Sequence, residues 1–329
     1  CFDKTGTLTR GSPEVTDVVS LNGLPEDEAL ALAAAVEARS EHPLARAIVA
    51  EARERGIEPP AVEEFEALVG HGARARLNGD ELWIGSSRFL ATAAPQAAPP
   101  EGLEDLEKEG KTVVLLGRGG RVEALLALRD EPRPEARAAL AHLREAGVER
   151  LVMLTGDNER TGRAIAAQLG LDEVSAELRP EEKVEALERL RVRYGAIAMV
   201  GDGINDAPAL ARADLGIALG TGGTDAAIEA ADVALMADDL TKVAEALRLG
   251  RRAAGISRQN LVFSVALLAV LIPTAVAGVL TVVVAVLVHE ISELLAVANG
   301  LRAGRPSDRA GSERQRGRPS YPKNARASA

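Results

Sequence analysis

Cysteine is almost missing from this chain, with one in 329 residues, at position 1. A single thiol excludes a disulfide framework and a cysteine-based zinc site. Aromatic residues make up only 2% of the chain, so any core must be built from Ala, Val, Leu and Ile. Positive charge is also in deficit, at a net −10, which argues against nucleic acid as a partner. The deficit is uneven: residues 303–329 sum to +5, leaving −15 for residues 1–302. A basic end after an apolar segment fits a membrane surface on the cytoplasmic side. Its Gly, Ser and Pro content equally fits a solvated, disordered basic tail over 303–329. No internal repeat and no signal-peptide pattern stands out.

What is present is a series of strand–loop–helix units. "LVMLTGDN" at 151–158 runs into "ERTGRAIAAQLG", and "AIAMVGDGIND" at 196–206 runs into "APALARA". An apolar run, a polar loop and an amphipathic stretch, repeated, predict a parallel α/β sheet. Chemistry in such sheets gathers at the carboxyl ends of the strands, where these polar clusters fall. Residues 12–123 read differently. Helices are expected at 25–39 and 43–55, then short strands in "GARARLNGDELWIG" and "TVVLLGRGGRVEALL". This predicts an α+β domain inserted after the first loop of an α/β domain formed by 1–11 and 124–250.

Residues 261–288 carry no charge, which exceeds the ~20 residues of one bilayer span but not the ~40 of two. One reading is a single long span followed by an amphipathic helix. The other is a hairpin over 258–302 that turns near Gly278. Arg251, Arg252 and Arg258 precede the run and Arg302 and Arg305 follow it, with none near Gly278, which favours the hairpin.

The opening "CFDKTGTLT" places Asp3 at the end of a short apolar run, before a Gly-Thr turn. A carboxylate so placed suits nucleophilic attack on a phosphoryl group. Lys4 and the turn's amides can hold the transferring oxygens. Thr155 and Gly156 can donate to phosphate oxygens, and Lys183 in "RPEEKVEAL" can neutralise developing charge. Asp202 and Asp206 in "GDGIND" can hold Mg2+. A lone "GDG" is an ordinary turn and a lone helical lysine faces solvent. All four clusters in order, each after a strand, are hard to obtain by chance.

The ordered set DKTGTLT, TGDN, PEEK and GDGINDAPAL resembles the phosphorylation domain of P-type ATPases, within the haloacid dehalogenase superfamily. The resemblance runs from Phe2 to about Arg302. It implies an α/β, Rossmann-like haloacid dehalogenase domain with an inserted α+β nucleotide-binding domain, followed by a transmembrane helical hairpin. By resemblance Asp3 is phosphorylated by ATP, Mg2+ sits among Asp3, the Thr5 carbonyl, Asp202 and Asp206, and Asp157 and Asn205 join the catalytic set. Related phosphatases place a second Asp two positions after the nucleophile. Thr5 stands there, which implies a long-lived aspartyl phosphate.

"EARSEHPLARAI" at 37–48 and "GHG" at 70–72 narrow the class. Pro43 suits the first turn of a helix, so His42 reads alone as part of an N-terminal cap. Similarity to heavy-metal-transporting members instead implies that Glu37, His42, Gly70 and Gly72 hold the adenine and ribose of ATP. Where that class carries Asn after a later "IG", this chain has Ser86. The resemblance also implies a truncated C-terminal portion, lacking the actuator domain and earlier membrane helices; no "TGE" occurs.

His289, Glu290 and Glu293 are the ionisable residues of the expected last span. Two carboxylates near mid-membrane cost on the order of 5–7 kcal/mol. The twelve Val, Leu and Ile between positions 279 and 297 recover about 4–7 kcal/mol. The three side chains fall on one side of a helix, where imidazole and carboxylate suit Zn, Co, Ni, Fe or Cd ions better than Cu+. A surface helix carrying the same residues is the competing reading.

The expected function is ATP-driven export of a heavy-metal cation through an aspartyl phosphate, by a multi-pass cell-membrane protein whose catalytic domains are cytoplasmic. A Cu+ exporter, a membrane-anchored phosphatase of the same superfamily, and a nucleotide-binding fragment without transport are the alternatives. "SEHP" disfavours a potassium-type subunit. The Arg- and Ala-rich composition fits a bacterial source.

Overall fold

The computed structural model describes residues 1–40, 42–68, 72–203, 206–220 and 225–304. Two compact units divide the chain, Cys1–Ala244 and Glu245–Ala329.

The first unit holds two six-stranded sheets. One is entirely parallel, built from β1 (Phe2–Asp3), β8 (Val152–Leu154), β9 (Glu173–Ser175), β10 (Ala198–Gly201), β11 (Leu215–Leu219) and β12 (Val233–Leu235). Their order is β12-β11-β10-β1-β8-β9. From β1 the chain builds β8 and β9 on one side, then returns to lay β10, β11 and β12 on the other. The order therefore reverses at β1, and the crevice outside its carboxyl end is where an open α/β sheet places a site. Helices α5 (Ala136–Glu145), α6 (Glu159–Leu169), α7 (Pro180–Tyr194), α8 (Ala207–Arg212) and α9 (Asp225–Ala230) fall between these strands. Leu187 and Leu190 of α7 pack with Val152, Leu154, Met199 and Leu210 into one core.

Aspartates do different work at the two edges of this sheet. At the amino edge, Asp172, Asp214 and Asp232 each precede a strand and accept the backbone N–H of a neighbouring one: Leu151 at 2.8 Å, Ile197 at 2.9 Å and Gly216 at 2.8 Å. These carboxylates tie strands together. The functional candidates lie at the opposite edge.

The second sheet is antiparallel, with order β2-β7-β6-β5-β4-β3. It comprises β2 (Glu14–Ser20), β3 (Glu63–Leu68), β4 (Gly72–Leu77), β5 (Asp80–Ser86), β6 (Thr112–Arg118) and β7 (Arg121–Arg129). Both faces are covered. Val114, Leu116, Leu126 and Leu128 meet the Ala-rich α1 (Glu26–Glu37) and α2 (Pro43–Glu54). Val113, Leu115 and Leu125 face the other way, with Trp83, Phe89 of α3 (Ser87–Ala93) and Leu103 of α4 (Leu103–Lys108). Alternation between two buried faces explains why these strands read as unbroken apolar runs.

The expected boundary at 123/124 needs correction. It cuts β7, which pairs with β2 from Ala124 through Arg129. The insert therefore keeps the whole strand, and the chain re-enters the α/β domain at Asp130. Asp130 fastens the crossing segments: its carboxylate accepts from the Thr9 hydroxyl at 2.6 Å and the Ser12 N–H at 3.3 Å.

At the end of the chain, α10 (Thr241–Val276) and α11 (Val282–Gly300) form a hairpin, and both are long and apolar enough to cross a membrane. α10 begins well before the expected 258, because the helix continues through polar residues ahead of its apolar half. The single long span is not what forms. Gly278, at φ +72°, ends α10: its N–H reaches the Ala275 carbonyl at 3.0 Å and the Val279 N–H reaches Thr274 at 3.0 Å. That is a Schellman termination, which needs a left-handed residue. Thr281 then caps α11, accepting from the Val284 N–H at 3.4 Å. Of the expected tail, residues 305–329 lie outside the described residues.

Candidate active site at the carboxyl edge of the parallel sheet

Phe2 pairs with Val200 on one side and Met153 on the other, and Asp3 pairs with Leu154. Asp3 thus ends the central strand, Thr155 follows β8 and Asp202 follows β10, which gathers three motifs at one edge. Beyond Asp3 the chain turns back through Thr5 (φ −75°, ψ 126°) and Gly6 (φ +76°). The Thr9 N–H closes this turn on the Lys4 carbonyl at 3.0 Å. A Cβ at Gly6 would overlap the Asp202 carboxylate, so glycine is required by space as well as by φ.

Lys183 enters from the first turn of α7, whose start is fixed by Pro180 and by the Glu182 carboxylate accepting from the Arg179 N–H at 2.8 Å. Its ammonium lies 2.6 Å from Asp3 Oδ1 and 2.7 Å from Asp206 Oδ1. Asp3, Asp202 and Asp206 offer oxygens within 4.8 Å of one another. Burial, reinforced by Asp206 against the pull of Lys183, pushes the Asp3 carboxyl up to about 6. Burial and the charges of Asp3 and Asp206 push Asp202 up to about 7. Burial opposes the charge on Lys183, but Asp3 and Asp206 outweigh it and raise its pKa.

One ammonium among three carboxylates leaves negative charge uncompensated. That donor set, hard oxygens around an excess of charge, fits a hard divalent cation. A linked pH dependence follows. Between their unfolded value of 3.8 and about 6 to 7, Asp3 and Asp202 hold protons in the folded chain that the unfolded chain has released. Without divalent cation, stability therefore falls as pH rises through this window. Added Mg2+ is expected to raise the melting temperature more at about pH 7.5 than at about pH 5, since at the lower pH it must displace protons. Equal shifts at both pH values would mean that the two carboxyls are already ionised in the acid.

Other expected residues take more specific places. Lys4 is buried and ion-paired with Asp157, so its charge is committed to that partner rather than free in the crevice. Asp157 also accepts from the Thr112 hydroxyl of the insert at 3.2 Å. The Thr155 N–H is taken by the Ser175 carbonyl at 3.0 Å, and its Oγ1 accepts from the Asp157 N–H at 3.1 Å. Thr155 therefore has its hydroxyl proton to offer, not its amide. Gly156 follows it, where an added Cβ would press on the Leu178 carbonyl. Asn205 and Gly70 lie outside the described residues.

Arg133 and Asp130 are missing from the expectations. Arg133 donates to the Gly6 carbonyl at 2.7 Å and pairs with Asp238 at 2.7 Å, bracing the turn beside Asp202. Both follow β7 in "RDEPRPEA", where a polar D-x-x-R after an apolar run was a readable signal.

In the insert, Glu37 ends α1 almost fully buried, and burial raises its carboxyl pKa against a Ser40 hydrogen bond. The His42 Nδ1 accepts from the Leu44 N–H at 3.2 Å, so the histidine does cap α2. Gly72 opens β4 opposite Gly85, where a Cβ would overlap the Ile84 carbonyl. The insert is seated on α6: Arg160 reaches Glu107 at 2.9 Å and Glu104 at 2.8 Å, and the Thr161 hydroxyl donates to the Lys111 carbonyl at 2.7 Å.

In the hairpin, His289 Nε2 lies 3.3 Å from Glu293 Oε1. Among the described residues Glu290 does not complete a three-ligand group with them.

The haloacid dehalogenase-like hydrolase family model matches residues 1–214. Two curated relatives extend the match to 92% of the chain. A probable cadmium-transporting ATPase of Alkalihalophilus pseudofirmus is 41% identical, and a probable copper-exporting P-type ATPase V of Mycobacterium tuberculosis is 43% identical. The chain spans 42% and 40% of their lengths, respectively. Among solved structures, a zinc-transporting PIB-type ATPase in an E2·Pi state superposes with a TM-score of 0.61 at 42% identity, over 92% of this chain and 49% of that one.

Proposed function

We propose, because this chain belongs to the haloacid dehalogenase-like hydrolase family, that Asp3 is a phosphoryl acceptor and that the chain is the catalytic and C-terminal membrane part of a heavy-metal-exporting P-type ATPase. The observation that carries the reading is the set of Asp3, Lys183, Asp206 and Asp202 converging at the point where strand order reverses, with Thr5 in place of a second carboxylate. Similarity over 92% of the chain to metal-transporting ATPases points the same way.

In this reading an Asp3 oxygen attacks the γ-phosphorus of ATP, the bond to the β-phosphate oxygen breaks and ADP leaves. Lys183 lies against the attacking carboxylate, and the Thr155 hydroxyl can donate to a phosphoryl oxygen. Asp3, Asp202, Asp206 and the Thr5 carbonyl would hold Mg2+, which would neutralise charge on the phosphoryl oxygens. With Thr5 where a proton-carrying acid would stand, water meets no general base there, and the acyl phosphate persists until the pump changes conformation. Lys4 is held back from the crevice by Asp157. Glu37, His42, Gly70 and Gly72 hold the adenosine of ATP. The hairpin spans the cell membrane with the catalytic unit in the cytoplasm. The partners are ATP, a metal cation, the bilayer and the preceding half of the pump; of His289, Glu290 and Glu293, the paired His289 and Glu293 are placed to meet a divalent ion together.

ATP hydrolysis by the complete pump in membrane vesicles, across Zn2+, Co2+, Ni2+, Fe2+, Cd2+ and Cu+, tests the whole reading. Stimulation by a divalent ion is expected. Stimulation by Cu+ alone would keep the pump and discard the role of His289 and its neighbours. Indifference to every metal would replace the pump with a phosphatase.

Capping and nucleotide binding by His42 can be separated. His42→Asn keeps a good cap acceptor and His42→Gln does not. A nucleotide role predicts that both raise the KM for ATP, by about 10-fold for one lost contact to the base. Weakened stability in the glutamine variant alone, with KM unchanged in both, would leave His42 as a cap.

A further inference from the structure

Beyond the catalytic crevice, the second unit carries a groove of about 460 Å³ lined by Arg251, Arg252, Gly255, Ile256, Gln259 and Arg302. Three guanidinium groups from the two arms of the hairpin share it. Arg302 is held in place by a chain of side chains. Its Nη1 donates to Asn299 Oδ1 at 2.9 Å, Asn299 Nδ2 donates to Asn260 Oδ1 at 2.8 Å, and Asn260 Nδ2 reaches the Ala296 carbonyl at 3.0 Å. The network ties α10 to α11 and fixes one charge at the mouth of the groove, while Gly255 leaves its floor without a side chain. We infer that this groove is a binding site for the phosphate headgroup of an anionic phospholipid, an inference that rests on the membrane reading above.

Level and covering argue for a lipid rather than a dissolved anion. Gly255 lies six residues before Leu261, where the uncharged run begins, which is about 9 Å along a helix. The headgroup zone on each side of a bilayer is about 5–8 Å deep, and an arginine stem reaches the rest of the way. On the face of α10 that carries the groove, the next apolar side chains toward the uncharged run, Val262 and Phe263, are exposed. A lipid that sets its phosphate on the arginines lays its acyl chains along them. A free phosphate leaves them bare. Guanidinium forks grip phosphate oxygens in pairs, which favours headgroups with an accessible phosphate and no neighbouring ammonium.

The complete pump is first reconstituted into vesicles of pure phosphatidylcholine and washed with carbonate. Loss from the membrane at this step would remove the membrane reading, and the site with it. The retained protein is then placed in discs of phosphatidylcholine with a minor fraction of phosphatidylglycerol, and the lipids that stay bound on release are counted by mass spectrometry. Phosphatidylglycerol is expected above its share of the disc, falling about five-fold for each arginine replaced in R251Q, R252Q and R302Q. Asn299→Ala keeps every charge but frees Arg302, and is expected to lower the enrichment while circular dichroism stays unchanged. Retention at the bulk fraction, or displacement of the lipid by inorganic phosphate at equal concentration, would overturn the site without touching the pump. An Asn299→Ala protein as enriched as the parent would overturn it too, because diffuse charge needs no positioned arginine.

Discussion

Lys183→Met should remove phosphorylation of Asp3 and lower the stability of the first unit by about 3–5 kcal/mol at neutral pH, the usual penalty for stripping one partner from a buried ion pair. Methionine fills much of the same space, so the loss is electrostatic. Among the described residues the ammonium is the one cation in direct contact with Asp3 and Asp206, at 2.6 and 2.7 Å, and Asp202 lies within the same cluster. Without it, three carboxylates face one another in a buried crevice. The variant should behave differently across pH. Asp202 sits near 7, and Asp3, already near 6 with the lysine present, rises further without it. A carboxyl with a raised folded pKa costs stability as pH rises from its unfolded value to its folded one. Parent and variant share the part below about 6, so the extra loss in the variant is small near pH 5 and grows as pH rises above about 6. Thermal melts of both proteins across this range, without divalent cation, provide the check. A loss of the same size at every pH would mean that the lysine's carbon stem, rather than its charge, holds α7 to β1. Phosphoryl transfer should fall by about 10²–10³-fold, the effect of deleting one pre-set charge at a developing anion. Lys183→Arg keeps the charge, so it should restore most of the stability. It should restore less of the rate, because a planar fork cannot sit between two oxygens as a tetrahedral ammonium does.

The convergence at this edge was readable because its residues lie in contiguous motifs that follow apolar runs or open the next helix. Asp3, Lys183, Asp202 and Asp206 meet as the strand-end rule requires. The partners of these groups were not readable. Lys4 and Asp157 are 153 positions apart, and Thr112 comes from the other sheet, so their contact depends on how the insert folds back onto α6. The boundary was misplaced at 123/124 for a related reason. Within "RVEALLALR" the run 124–128 is apolar throughout, and it belongs to the antiparallel sheet because β2, more than 100 positions earlier, pairs with it. In the hairpin the turn at Gly278 was legible from the missing charge around it. The start of α10 at Thr241 was not, because a helix that runs from polar into apolar sequence shows no composition signal at its true beginning. Asp172, Asp214 and Asp232 resemble the functional aspartates in sequence and differ only in which edge of the sheet they reach.

Asp3→Asn separates what the site does from what it costs the fold. Asparagine keeps the shape of aspartate but offers no anionic oxygen to phosphorus, so acid-stable incorporation of phosphate from ATP should fall by on the order of 10⁴–10⁶-fold, as when other covalent nucleophiles are removed. Stability should move the other way. The native carboxyl is buried and held near 6, well above 3.8, so at neutral pH the folded chain pays to keep it ionised. Replacing it relieves on the order of 1–3 kcal/mol, less whatever its contact with Lys183 returned. The gain should grow as pH rises from 3.8 to about 6, stay full above that, and vanish in acid below 3.8, where the parent carboxyl is protonated in both states. It should also shrink in Mg2+, because the cation relieves the parent protein and finds one ligand fewer in the variant. Melting curves at about pH 4.5 and 7.5, with and without Mg2+, test each part of this. A variant that is inactive and also less stable at neutral pH would show that the Asp3–Lys183 pair outweighs the repulsion, and that the crevice is built around its nucleophile. The opposite result is what a catalytic carboxylate demands. Asp3 is useful because it stays anionic where water is scarce and two other carboxylates lie within reach. The fold must hold it there against its own stability.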